Sequence, residues 1–257
     1  MVSLLTMTKE EIKTYLDEAV EKYNHSTFIE DDPIQIPHQF EKKEDIEIIG
    51  FIVATIAWGN RKSIIQNAER LVDIMENQPH EFILAYESDP HLNFVHRTFN
   101  RLDLDFFFRS LQNIYTYHGG LEKVFVKELP TKQRIHHFRN VFLDVEHLPR
   151  SEKHIANPMS GSTAKRINMF LRWMIRKDKK GVDFGLWKHH KTNELYVPLD
   201  VHTATSARAL GLINRKSNDW KALEELMSNL RTFDPEDPCK YDFAIFGLSA
   251  NKVLTNN

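Results

Sequence analysis

Tyr196-Val-Pro-Leu-Asp-Val-His-Thr-Ala-Thr-Ser-Ala-Arg-Ala-Leu-Gly211 decides how the rest of the chain is read. Pro198 fixes its own φ and pushes the residue before it out of the helical region, so the approach to Asp200 is extended. Asp is among the best N-cap residues, because its carboxylate accepts the unpaired N–H groups of a first helical turn. About three turns later Gly211 supplies a left-handed C-cap. The stretch therefore predicts an extended arm that ends in a capped helix. Beside His202, Asp200 is also placed where a rigidly held carboxylate does chemistry.

Upstream, Pro158-Met-Ser-Gly-Ser-Thr-Ala-Lys-Arg-Ile-Asn-Met-Phe-Leu-Arg-Trp-Met-Ile-Arg176 reads as a tight turn around Gly161 and then a helix. Its apolar face is Ile167, Phe170, Leu171, Met174 and Ile175. Residues 160–181 hold Lys165, Arg166, Arg172, Arg176, Lys177, Lys179 and Lys180 against one acid, Asp178. Exposed N–H groups at a helix start with cations nearby suit phosphate, although a basic run on a helix is more often a solvated face.

Helical patterning extends through the chain. Thr8-x-x-Glu11 is a capping box ahead of Ile12, Tyr15, Leu16, Ala19 and Val20. Residues 24–39 read as a loop punctuated by Pro33 and Pro37. Asp45 opens Ile46–Trp58, which is apolar nearly all round and predicts a buried central helix. Gly59 ends it and Asn60 caps the next, whose buried face is Ile64, Ile65, Ala68, Leu71, Val72 and Met75. Pro79–Tyr86 is a short helix, His96-Arg97 suggests a surface contact, and Asp103 caps an aromatic helix ended by Gly119-Gly120. Helices are expected over Leu121–Leu129 and Lys132–Val145, with His136-His137 too divergent in direction to form a metal pair. After a loop with Trp187, His189 and His190, and beyond Gly211, two more helices carry Trp220 to Leu230 and Tyr241 to Leu248. No strand alternates convincingly, so the expected fold is all-α.

Composition narrows function. One cysteine, Cys239, excludes a disulfide framework, a four-thiolate cluster and Cys-rich zinc sites. The net charge of −2 gives no global basic signature, so any nucleic-acid surface is local. No apolar run approaches the ~18 residues of a membrane span, and residues 1–7 lack the basic region and apolar run of a signal peptide. The expectation is a soluble, cytoplasmic monomer of one helical unit, residues 1–257, divisible into subdomains 1–150 and 151–257.

The order "glycine turn, lysine, helix, then Val197-Pro-Leu-Asp-Val-His202 at the next helix start" resembles the helix-hairpin-helix DNA glycosylases, above all their 8-oxoguanine glycosylase branch. The full length is similar to a bacterial family of unassigned function related to them. The resemblance implies a multi-helix fold with an active-site cleft between two helical subdomains, acting on duplex DNA with a damaged base, with neither a cofactor nor a metal. It places the catalytic aspartate at Asp200 and the lysine nucleophile at Lys165. It also gives DNA contacts at Gly161, Ser162, Thr163, Arg166 and His202, and a base pocket of Trp58, Asn60, Trp187 and Phe243. Thr163 stands where the family's hairpin has its second glycine, and a β-branched residue there resists left-handed backbone. About 35 residues part Lys165 from Asp200, more than is usual in the family.

The chemistry fits these residue types. Breaking an N-glycosidic bond builds positive charge on the sugar, which a carboxylate stabilises. A lysine freed of its proton, with Arg166 as a neighbouring cation that favours the loss, attacks that centre and forms a Schiff base. Two alternatives stand beside this reading: a glycosylase-fold protein that binds nucleic acid without chemistry, and an all-α metal hydrolase built on Asp200, His202 and His189 or His190. No spacing matches a recognised zinc motif.

Overall fold

The computed structural model describes residues 7–250; the reading of residues 1–6 lies outside them. The fold is all-α, with one two-stranded hairpin among the described residues. In chain order the helices are α1 (Lys9–Tyr23), α2 (Thr27–Asp31), α3 (Lys43–Ile56), α4 (Arg61–Ile74) and α5 (Pro79–Leu84). After the strands β1 (Val95–His96) and β2 (Phe99–Asn100) come α6 (Arg101–Tyr117), α7 (Leu121–Val124) and α8 (Thr131–Phe142). The last four are α9 (Lys165–Ile175), α10 (Val201–Ala209), α11 (Trp220–Phe233) and α12 (Tyr241–Ala250). No helix among the described residues is long and apolar enough to cross a membrane.

The chain divides into two compact units, Ile29–Met159 and the pair of segments Met1–Phe28 and Ser160–Asn257. The sequence suggested a cut at residue 150 with α1 on the N-terminal side. Instead α1 packs along α12, and Gly247 is what allows this, since a Cβ there would stand 2.3 Å from the Tyr23 ring.

In the unit 29–159, α3 is buried from Asp45 to Ile56, as its all-round apolar pattern requires. Its cap is Lys42, and Asp45 sits one turn inside, where its carboxylate accepts the His80 N–H at 2.7 Å. Asp45 thus satisfies an orphan donor at the start of α5 rather than of its own helix. A similar shift occurs at α6. Asn100 is the cap and Asp103 the reciprocal capping-box residue, and Asp103 also accepts from Arg150 (2.9 Å) and Ser151 (2.6 Å). Phe51, Phe107, Phe138 and Phe142 interlock between α3, α6 and α8 at centroid distances of 4.8–5.9 Å.

Several other expectations need correcting. Residues 24–39 hold α2 and two single 3-10 turns begun by Pro33 and Pro37. The helix expected to Leu129 stops at Val124. His96 is no surface contact: it is buried in the hairpin, donating from Nε2 to the Trp58 carbonyl at 3.2 Å. Arg97, left-handed at φ 55°, is the exposed member and lies over Gly59.

Candidate active site

Two helix starts, 35 residues apart in sequence, carry the site. The arm before α10 is anchored by burial of Val197 and Leu199 and by Tyr196, whose ring meets Trp220 at 5.1 Å and carries the Arg231 guanidinium 4.9 Å away. Asp200 then caps α10, its Oδ1 accepting the Thr203 N–H at 2.9 Å. The helix closes as anticipated. Gly211 is left-handed at φ 68°, and the N–H groups of Gly211 and Leu212 return to the carbonyls of Arg208 and Ala207, a Schellman motif.

The second start is the Gly161 turn. Gly161 has φ 92°, and its carbonyl accepts from Trp220 N at 2.8 Å. Thr163 escapes the left-handed conformation expected of its position; Ala164 takes it, at φ 48°, as the N-cap of α9. That leaves the Thr163 hydroxyl to donate to the Leu199 carbonyl at 3.0 Å, while its own carbonyl accepts from Asn168 Nδ2 at 2.9 Å. One side chain therefore ties the turn before α9 to the residue ahead of Asp200.

This bond holds the two helix starts together. Lys165, the first residue of α9, places Nζ 2.9 Å from Asp200 Oδ2. The side chains keep 34% and 27% of their exposure, so the pair stays open to a substrate. Burial pushes the Asp200 carboxyl up, but the Lys165 ammonium and the Thr203 N–H outweigh it and hold the group below its ordinary value. A cation on the first turn faces the positive end of the helix dipole, where an acid is preferred. Stability alone would not choose lysine there.

The remaining candidates divide. Ser162 and His202 are exposed beside the pair, and Gly161 has open space above its Cα. Arg166 is half-buried, and burial pulls its guanidinium down to about 10. Trp187 and Phe243 are corrections: at 0% and 1% exposure they are core. Trp187 packs on Phe170 at 5.5 Å, and Phe243 lies under the Arg172 guanidinium at 4.4 Å, so neither offers a free face to a base. Trp58 and Asn60 belong to the unit 29–159. There Trp58 is half-buried, with His96 against it at 5.1 Å and His154 stacked at 6.0 Å, and Asn60 caps α4.

The basic stretch also changes meaning. Arg172 and Arg176 are buried and paired with Asp183, Asp237 and Asp242, so they neutralise interior acids rather than face a phosphate. The long insertion is packed on the same helix, with Phe184 N and Trp187 N bonded to the carbonyls of Trp173 and Met174. The sequence marked Asp237 only as a helix cap before Pro238, and the pairing of Asp183, Asp237 and Asp242 with these arginines had no signal, because the partners lie 7 to 70 residues apart. Among the described residues no group of three or more His, Cys, Asp or Glu side chains is gathered to hold a metal ion.

A lysine and an aspartate joined across two helix starts of an all-α chain define the class of site. The chain belongs to the family described as "Protein of unknown function (DUF2400)", whose model matches residues 32–251. No curated protein and no solved structure matches it.

Proposed function

We propose that the chain is a DNA glycosylase with lyase capability, working on a damaged base, with Asp200 and Lys165 as its catalytic pair. The observation that supports this most is the 2.9 Å contact between Lys165 Nζ and Asp200 Oδ2, made by residues distant in sequence and placed at open helix starts. As the C1′–N bond breaks, the base leaves with the bonding electrons and the sugar becomes positive. Asp200, kept ionised by its partners, stabilises that charge. Lys165 attacks only after giving up a proton, which the base leaving as an anion takes, so that Asp200 stays ionised. The C1′–Nζ bond then forms, and ring opening gives a Schiff base from which β-elimination cuts the strand. Ser162 and His202 flank the pair as contacts for the backbone phosphates, on a cytoplasmic monomer bound to duplex DNA.

One observation favours the second reading, a glycosylase-like protein that binds without chemistry. Both oxygens of Asp200 already have a structural partner, one as helix cap and one in the ion pair, as a purely structural carboxylate would. Borohydride trapping on duplex DNA with an abasic site separates the two. A covalent adduct is expected with the wild type and none with K165A; equal yields from both would sink the role of Lys165.

A further inference from the structure

Behind the Lys165–Asp200 pair, α9 carries a polar stripe into the interior. Spacings of three, four and four residues put Lys165, Asn168, Arg172 and Arg176 on one face, and the three behind Lys165 are buried, at 0%, 4% and 1% exposure. Arg172 pairs through Nη1 with Asp242 of α12 and through Nε with Asp183 at 3.2 Å. Arg176 reaches Asp178 (2.8 Å), Asp183 (3.0 Å) and Asp237 (2.9 Å). Four carboxylates therefore face two guanidiniums. Buried charge without a counter-ion is costly, so a cluster with this excess keeps a proton where ionisation is hardest. That place is Asp242. Burial raises its carboxyl to about 6; Arg172 opposes the rise, and the negative charges of Asp200 and Asp183 add to it. α12 packs against α10, the helix that Asp200 caps.

We propose that Asp242 is a positioning residue for the Lys165–Asp200 site, acting on Asp200 through the electrostatic field from the packed side of α10. With Asp242 ionised, the site has additional negative potential that favours positive charge on a bound sugar. With Asp242 protonated, Arg172 turns that potential toward positive. Arg172 of α9 is bound to Asp242, the charges of Asp183 in the loop that follows and of Asp200 at the head of α10 act on it, and its own charge acts on Cys239 ahead of α12. From α1, which lies along α12, come Asp17, bound to Tyr241 and Lys240, and Tyr23, against Gly247.

The proposal rests on Lys165 and Asp200 being the working pair, yet its main test needs no substrate. Carboxyl-carbon NMR of the full chain should show Asp242 titrating near pH about 6. Asp200 should show its own inflection and a second, smaller one at that same pH, and D242N should remove the second. D200N lies at the open site and leaves the buried cluster intact, so it gives the reciprocal test if D242N folds poorly: the Asp242 midpoint should move down. A single inflection for Asp200, or an Asp242 midpoint unmoved in D200N, would overturn the coupling. In borohydride trapping on abasic-site DNA, the wild-type adduct yield should carry an inflection near that pH that D242N lacks. No adduct at any pH would refute the glycosylase/lyase reading, while the NMR titrations alone decide the coupling.

Discussion

At the scale of single residues, substitution can separate the helix cap that Asp200 forms from the catalytic task proposed for it. Asn caps a helix as well as Asp does, so D200N should keep the fold, losing about 0.5 kcal/mol with its half-exposed ion pair. Base release on lesion-containing duplexes should disappear. D200A removes the cap as well and should cost about 1 kcal/mol more, read from denaturant unfolding. A D200N protein that still releases base would place the chemistry elsewhere. Much of this was legible in sequence: the Asp cap, the Gly211 stop and the lysine behind a glycine turn all stand in the structure. The roles of Trp187 and Phe243 were not, because an aromatic side chain reads the same, in the loop at Trp187 or on the helix at Phe243, whether it lines a pocket or fills a core. Only its packing neighbours decide.

At the scale of elements, two backbone positions test how the helices are seated. Ala164 holds a left-handed conformation that costs an L-residue about 1 kcal/mol and glycine almost nothing. A164G should therefore stabilise the chain by about 0.5 kcal/mol after the greater entropy of an unfolded glycine is counted. A loss of stability would mean that the methyl group packs better than its conformation suggests. Gly247 is the opposite case. G247A drives a Cβ against the Tyr23 ring, so α1 or α12 has to move, and a loss of about 2 kcal/mol is expected in thermal or chemical unfolding. Neither position was foreseeable from periodicity. The hairpin pattern placed its difficulty at Thr163, one residue early, since local sequence does not say how a turn distributes its φ angles.

For the whole molecule, the pH dependence of stability follows from buried carboxyls of opposite tendency. Burial works to raise Asp103, but His154 Nε2 at 3.5 Å and hydrogen bonds from Ser151 and Asn100 N hold it at about 2. A depressed carboxyl contributes stability above its unfolded value and loses it as pH falls, here worth about 2 kcal/mol between roughly pH 4 and 2. Asp17, Asp105, Asp178 and Asp234 are lowered too and steepen that acid limb. Asp242 is raised, so its contribution is present at low pH and is lost as pH rises toward about 6. Unfolding free energy plotted against pH should climb to about pH 4 and then yield part of that gain by about pH 6. A curve that rises without a break to neutrality would mean that Asp242 is ionised throughout.

By itself, the sequence determined the helical class, the Thr8–Glu11 capping box, the buried character of α3 and the residue types at the Lys165 and Asp200 positions. These features are local: caps and periodicity act within a turn or two of backbone, so neighbouring residues suffice to read them. Tertiary structure decided that Thr163 ties one helix start to the other, that Arg172 and Arg176 turn inward onto four acids, and that α1 packs along α12. Those outcomes depend on charge compensation and shape between segments distant in sequence. Such pairing appears only when burial removes water as the alternative partner.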